Sequence, residues 1–281
     1  MNKKIFVGHK KMDLLKHLYS IHAPSGSEWP MIAFVKEYVE RHIPDAEVRI
    51  DGYGNLYITK GQASDGYPTL VCHLDQVQKQ HSDDFTVIEA GGILFGYSES
   101  KHRREGLGAD DKNGIWICLK CLEQCPCLKV FMAVMEEKGM FGSKMADMSF
   151  FEDSLYVIEP DSPEGGNLKH ELREIPCASA EFIDAIQPEA HGFKIIDGKG
   201  TDVLALKING LKVSGVNVGA GYYRPHKDDE YTIISDLQQC LDYILFVIHT
   251  THKRYLHEFK TDTQKWVESL YGGKTEVNTT I

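Results

Sequence analysis

Nowhere in this 281-residue chain is there anything close to the roughly 18 uninterrupted apolar positions that a membrane helix requires. Its start, MNKKIFVGHKKMDLLKHLYS, turns polar too soon for a secretory signal, so the sequence reads as soluble, unexported and cytoplasmic. Positive charge is scarce. With 31 Lys and Arg against 41 Asp and Glu, the formal net charge is −10, which argues against nucleic acid and anionic membranes as partners, since both call for a basic surface. Seven cysteines, an odd number in a chain of this size, make a disulfide framework a poor reading and a reducing compartment the better one. Repeats, low-complexity tracts and linkers are missing too, so a single domain over residues 1–281 is expected, frayed only in its last residues, GGKTEVNTTI.

What is present is ordinary globular composition, 42% hydrophobic and 26% charged, enough for a large core. Helical and strand-like patterns alternate from end to end. MDLLKHLYSIH and EWPMIAFVKEYVERHI carry apolar residues at three- and four-residue spacing, and PSGS before the second offers a serine cap. EVRIDGYGNLYITKG reads as two strands around a glycine turn, YPTLVCHLD as an apolar strand ending in polar residues, and FTVIEAGGILFGYS as a strand-like stretch with its own turn. A helix from about Gly114 to Glu123, strands LKVFMAVM, SLYVIEPD and LKVSGVNVG, a short helix after Gly142 and a long final helix, ISDLQQCLDYILFVIHTTHKRYLHEF, complete the pattern. Continuous apolar strands between helices indicate an α/β fold: a mostly parallel central sheet flanked by helices on both faces, three α/β/α layers. Cys118, Cys121, Cys125 and Cys127 lie close in sequence. The first two sit at helical spacing among Ile115, Ile117, Leu119 and Leu122, which makes them small apolar core residues rather than metal ligands.

In such a sheet functional groups gather just past the carboxyl ends of the strands. VCHLD ends in His73 and Asp75, two apart and therefore on one face of an extended chain, so one can ligate a cation while the other holds the imidazole tautomer. FMAVMEEKG ends in Glu136 and Glu137. Adjacent carboxylates cannot point the same way, so one can bind a cation and the other take a proton from water. LYVIEPD ends in Asp161, by itself a turn residue. GLGADDKNG places Asp110 and Asp111 side by side, either as a solvated helix start or facing a cation. His226 lies in GYYRPHKDDEYTII, where Asp228, Asp229 and Glu230 read as a helix cap and a solvated first turn. Together His73, Asp110, Glu137, Asp161 and His226 supply two imidazoles and three carboxylates. That set suits zinc or a similar divalent ion, overfills one tetrahedral site, and serves two ions that share a carboxylate.

The ordered motifs PSGSE, HLD, GADDKNG, EEKG, EPD and RPH, over roughly residues 10 to 255, resemble the di-zinc exopeptidases and deacylases: peptidase T, the zinc carboxypeptidases, the acetylornithine deacetylases and the compact zinc aminopeptidases. The resemblance implies a zinc-exopeptidase-like fold in which His73 and Asp161 hold one zinc, Glu137 and His226 the other, and Asp110 bridges them. It also implies Glu136 as general base, Asp75 as the partner of His73, and a cis peptide between Asp110 and Asp111, with Asp111 shaping the turn and capping the helix. Two insertions known in these relatives have no room here. Asp161 and His226 are only 65 positions apart, and His73 and Asp110 only 37, so no lid or dimerisation domain is expected.

The implied reaction is hydrolysis of a terminal peptide bond of short peptides by a co-catalytic di-zinc mechanism, with an aminopeptidase favoured because the plan is compact. A deacylase or amidohydrolase of N-acyl amino acids uses the same chemistry, and a catalytically inactive binding protein on the same fold is the reading from another class. Tyr222, Tyr223 or Arg224, close to His226, can donate to an oxyanion or simply pack. KHRRE (101–105) reads as a solvated loop, and His170 and His191 as non-ligands. Oligomeric state is open at this stage.

Overall fold

The computed structural model describes residues 7–259. Helices α1 (Val7–Ser20) and α2 (Trp29–His42) precede the antiparallel pair β1 (Ala46–Ile50) and β2 (Leu56–Lys60). The turn between those strands is set by Asp51, whose Oδ1 accepts from the N–H groups of Tyr53, Gly54 and Asn55, with Gly54 at φ 102°. Then come β3 (Tyr67–His73), the hairpin β4 (Phe85–Ala90) and β5 (Ile93–Ser98), and β6 (Arg103–Glu105). The hairpin turns on Gly91 and Gly92, both at positive φ, as a two-residue primed turn requires. Helix α3 (Ala109–Gln124), β7 (Leu128–Ala133), α4 (Phe141–Lys144) and β8 (Ser154–Ser162) follow. The remainder comprises β9 (Asn167–Lys169), β10 (Glu171–Leu172), β11 (Ile175–Pro176), α5 (Ala180–Ile186), β12 (Lys194–Ile195), α6 (Asp202–Ile208), β13 (Gly215–Gly219), β14 (Tyr222–Tyr223), β15 (Tyr231–Ile233) and α7 (Ile234–Thr250).

The eight-stranded sheet runs β1-β2-β7-β3-β8-β13-β9-β12. Its central four strands, β7, β3, β8 and β13, are mutually parallel, and antiparallel pairings flank them at β2 and β9. Burial follows from this placement. These strands are covered on both faces, which is why the sequence shows them as continuous apolar runs. Alternation sends Leu70, Cys72, Val130, Met132 and Ile158 into a core with α1, α2, α3 and α7, and Val71, Phe131 and Val157 into a second core with Val203, Leu204 and Leu206 of α6. The expected three layers are present. β14-β15-β5-β4 form a separate small antiparallel sheet, with β6 beside β5.

All seven cysteines are free; Cys118 and Cys121 are buried, as their spacing predicts, and so is Cys125. No described helix is long and apolar enough to cross a membrane. Three expectations need correction. The final helix stops at Thr250 rather than running to Phe259, and the strand expected over 211–219 is regular only from Gly215, because Ser214 N–H donates to Tyr255 O in the irregular tail. The PSGS serine does not cap α2. The cap position belongs to Glu28, and Ser25 is employed at the site described next. The tail GGKTEVNTTI lies outside the described residues.

Candidate metal centre

Every sequence-predicted donor is brought to the carboxyl end of the parallel strands. His73 closes β3, and Asp161, on β8, shares the α6-facing side with Val157 and Glu159, four and two positions earlier. Asp110 and Asp111 open α3 in non-helical conformations (φ/ψ −75/101 and −118/39), and the peptide bond between them is cis. Glu136 and Glu137 begin a single 3₁₀ turn after β7, entered through Met135 at φ 53°. His226, at φ 65°, sits on the loop joining β14 to β15.

Two groups of donors converge, and Asp110 belongs to both. His73 Nε2 lies 3.0 Å from Asp110 Oδ1 and 3.6 Å from Asp161 Oδ1, while His226 Nε2 lies 3.1 Å from Asp110 Oδ2 and 2.8 Å from Glu137 Oε1. One imidazole proton cannot serve two carboxylates at once. Donors on one tetrahedral ion with 2.0–2.2 Å bonds stand roughly 3.3–3.6 Å apart; the His73–Asp161 spacing matches this, while the other three, at 2.8–3.1 Å, are hydrogen-bond distances. Glu137 Oε1 is buried and faces His226 Nε2 at 2.8 Å, a charge-assisted contact. Two further trios, His73–Asp111–Asp161 and His73–Glu136–Glu137, also fall within ligand range of each other. Asp111 is already committed: Oδ1 accepts from Gly114 N (3.0 Å) and Oδ2 from His73 N (3.3 Å), so it caps the helix and pins the strand end.

Asp75 organises the group from below. It is 1% exposed; Oδ1 accepts from Glu136 N (2.9 Å), and Oδ2 from Ser25 Oγ (2.6 Å) and Glu137 N (3.3 Å). His73 Nδ1 faces the Asp75 carbonyl at 3.1 Å and its carboxylate at 3.3 Å, which places the proton on Nδ1 and turns the Nε2 lone pair to the centre. The electrostatics show a surplus of negative charge. Burial presses the His73 pKa down, yet Asp110, Asp161 and Asp75 raise it well above the ordinary value, and hydrogen bonds to Asp110 and Glu137 lift His226 to about 10. Burial raises Asp161, with Asp110 adding to it. Glu136 is pushed up to about 7 by burial and then by Glu137, Asp110 and Asp75, with His73 opposing.

Several residues here escaped the sequence reading. Glu230, expected in a solvated helix turn, is wholly buried: Oε2 accepts from Gly108 N (2.6 Å) and Gln78 Nε2 (3.3 Å), and Oε1 from Asp110 N (3.4 Å). Arg104, expected in a solvated loop, packs over Phe95 and donates to the carbonyls of Asp229 and Glu230 (2.8 and 3.0 Å), clamping the segment that carries His226. Glu28 Oε1 accepts from Gly26 N and Met135 N, joining the PSGS loop to the strand before Glu136. Glu159, two residues before Asp161, accepts from Asp202 N and Val203 N and anchors α6 under the site. Only PSGSE had offered a signal, as polar residues in a loop. Tyr222, Tyr223 and Arg224 are already engaged: Tyr222 OH donates to Asp161 O and Oδ1 (both 3.3 Å), Tyr223 OH to Asp236, and Arg224 Nε to Asp229. His191 packs against Phe246 and Tyr243 and joins no donor group, nor does His170.

No family model and no curated protein sequence matches the chain. Solved structures do match in fold. Aminopeptidase PepT from Bacillus cereus superposes with a TM-score of 0.69 at 13% identity over 86% of this chain and 98% of that one. A tripeptidase from Staphylococcus aureus gives 0.68 at 15% identity, covering 85% and 96%. An aminopeptidase from the archaeon Desulfurococcus kamchatkensis gives 0.63 at 17% identity, covering 96% and 99%. At these identities the likeness is one of fold, and the zinc-exopeptidase-like fold that the motifs implied is the fold this chain adopts.

Proposed function

We propose that the chain is a metal-dependent exopeptidase that removes a terminal residue from short peptides, an aminopeptidase in the first instance, built as one catalytic domain with no inserted lid. The observation that carries this reading is the pair of imidazole Nε2 atoms, each facing two carboxylate oxygens, with Asp110 common to both groups and Glu136 beside them. His73 and Asp161 would hold one divalent ion, Glu137 and His226 a second, and Asp110 both, with zinc the best fit to this mixture of nitrogen and oxygen donors. Bound there, the ions supply Lewis acidity, polarising the scissile carbonyl and making water acidic enough to attack near neutral pH.

The chain's own residues do the rest. Glu136 is next in sequence to a ligand, and with its carboxyl pushed up to about 7 it is suited to take the proton of the attacking water and hand it to the departing amine. Asp75 fixes Glu136 and Glu137 through their backbone N–H groups, and so sets where that carboxylate stands relative to His73. The like-fold aminopeptidases and tripeptidase favour peptides as substrates. The test is product analysis by mass spectrometry with zinc-loaded protein and matched peptides that are free at both ends, N-acetylated, or C-amidated. Cleavage that requires a free amino terminus is expected, as is a loss of at least about 10²-fold in Glu136→Gln with metal content intact. Release of acetate alone would instead establish a deacylase of N-acyl amino acids. A fully active Glu136→Gln variant, or protein that binds no metal, would overturn the mechanism.

A further inference from the structure

Several basic groups around the centre are already engaged. Lys112 Nζ donates to the carbonyls of Tyr19 and Leu107, Arg104 to those of Asp229 and Glu230, and Arg224 pairs with Asp229. Three cations on the β9 side are different: among the described residues Lys169, Arg173 and Lys199 have no ion pair or side-chain hydrogen bond. Lys169 stands opposite Asn217 of β13, and Asn217 stands beside Glu159 of β8, so all three share the sheet face that carries Asp161 one step further along. The Lys169 side chain is partly buried. Burial lowers its pKa while Asp161, Glu159 and Glu164 counter, and Lys199 is close enough to lower it further.

The segment 196–200 crosses directly over these groups, and its two glycines show how closely. A Cβ at Gly198 would meet Lys169 Cδ at 3.0 Å, and one at Gly200 would meet the Arg173 guanidinium at 2.9–3.0 Å. Lys199 lies between them, and the segment leads straight into Thr201 and Asp202 above Glu159. The centre itself is rich in carboxylates, with Asp110, Glu136, Glu137 and Asp161. Two strand spacings, about 9.5 Å, separate β8 from β9. A lysine stem turned toward β8 and one or two extended residues, at roughly 3.3–3.6 Å each, are together long enough to bridge that gap from a carbonyl held over the centre.

We propose that Lys169, with Lys199 and Arg173 beside it, forms an anion-binding subsite that takes the α-carboxylate of a short peptide whose scissile carbonyl lies over the metal centre. This rests on the exopeptidase reading and deepens it: the substrates are di- and tripeptides with a free carboxyl terminus. The test is calorimetric binding of a tripeptide and its C-terminal amide to zinc-loaded Glu136→Gln protein, repeated with Lys169→Met and Lys169→Arg added. The acid should bind on the order of tenfold more tightly than the amide, the size of one partly exposed charge-assisted contact. Lys169→Met should collapse that ratio toward about one, and Lys169→Arg should restore most of it. An N-acetyl amino acid and its amide, run alongside, identify the source: a preference for the acid confined to that pair would assign the carboxylate to an acyl amino acid and overturn the peptide assignment. Equal binding of tripeptide acid and amide, or a ratio unmoved by Lys169→Met, would overturn the subsite. Failure of the exopeptidase reading would appear separately, as absence of cleavage by the wild-type protein.

Discussion

Replacing Asp75 by Asn tests how the centre is held, because the change keeps shape and removes charge. The carboxylate accepts from Ser25 Oγ, Glu136 N and Glu137 N and faces His73 Nδ1, all in a site 1% exposed. An amide keeps one oxygen for Glu136 N, but its NH₂ then meets the Glu137 N–H, donor against donor. Charge-assisted bonds contribute about 1.5–3 kcal/mol each. Losing one and weakening the others should cost about 2–3 kcal/mol in urea denaturation of the chelator-treated protein. Less basic for want of its partner, His73 should bind zinc about 10–100-fold more weakly, read by competition with a chromophoric chelator. The pH dependence has a definite sign. Burial raises the Asp75 pKa, but His73, Ser25 and Glu136 N–H more than offset it and leave the carboxyl below its ordinary value. A depressed folded pKa means stability present above the unfolded value of about 4 and lost as pH falls through the folded one, so wild type and Asp75→Asn should converge on acidification. Unchanged stability together with unchanged zinc affinity would refute the role assigned to Asp75.

Other perturbations follow from the same geometry. Gly114→Ala should destabilise the protein by about 1–2 kcal/mol in urea: a Cβ there runs into both Asp111 carboxylate oxygens, and overpacking at about 1–3 kcal/mol outweighs the helix-propensity gain of up to about 1. A stabilised variant would show that Asp111 is not fixed. Arg104→Ala removes the clamp on the Asp229 and Glu230 carbonyls and should weaken zinc binding on the order of tenfold, by freeing the His226 loop; unaltered affinity would separate the loop from the clamp. Because His226, lifted to about 10, is protonated at pH 7 without metal, zinc binding should release its proton and tighten as pH rises. Calorimetry in buffers of different ionisation enthalpy measures this, and zero release would contradict the raised value of His226.

Local chemistry was legible in the sequence because it is written in short-range order. Strand alternation placed His73 with Asp75, continuous apolar runs marked β3, β7 and β8 as covered on both faces, and helical spacing placed Cys118 and Cys121 in the core; Glu136 and Glu137, expected to point apart from an extended strand, lie on a 3₁₀ turn that brings both within ligand range of His73. The two-glycine hairpin was equally local. The end of α7 was misjudged because apolar periodicity continues past Thr250, where tertiary pairing of Ser214 and Tyr255 takes over the backbone.

What only the tertiary structure decided lies between residues far apart in the chain. Glu230 reaches Gly108 across 122 positions, Arg104 reaches Glu230 across 126, and Ser25 reaches Asp75 across 50, so each read by itself as a solvated charge or a helix cap. Lys169 acquired its setting from the register of β9 on β13 and from a glycine crossing it from another part of the chain. The sequence by itself determined which residue types stand at each strand end, because side-chain direction follows from a two-residue period. Which of them are buried, shared or left unpaired was decided by packing, because a charge is desolvated only by the neighbours the completed fold brings against it.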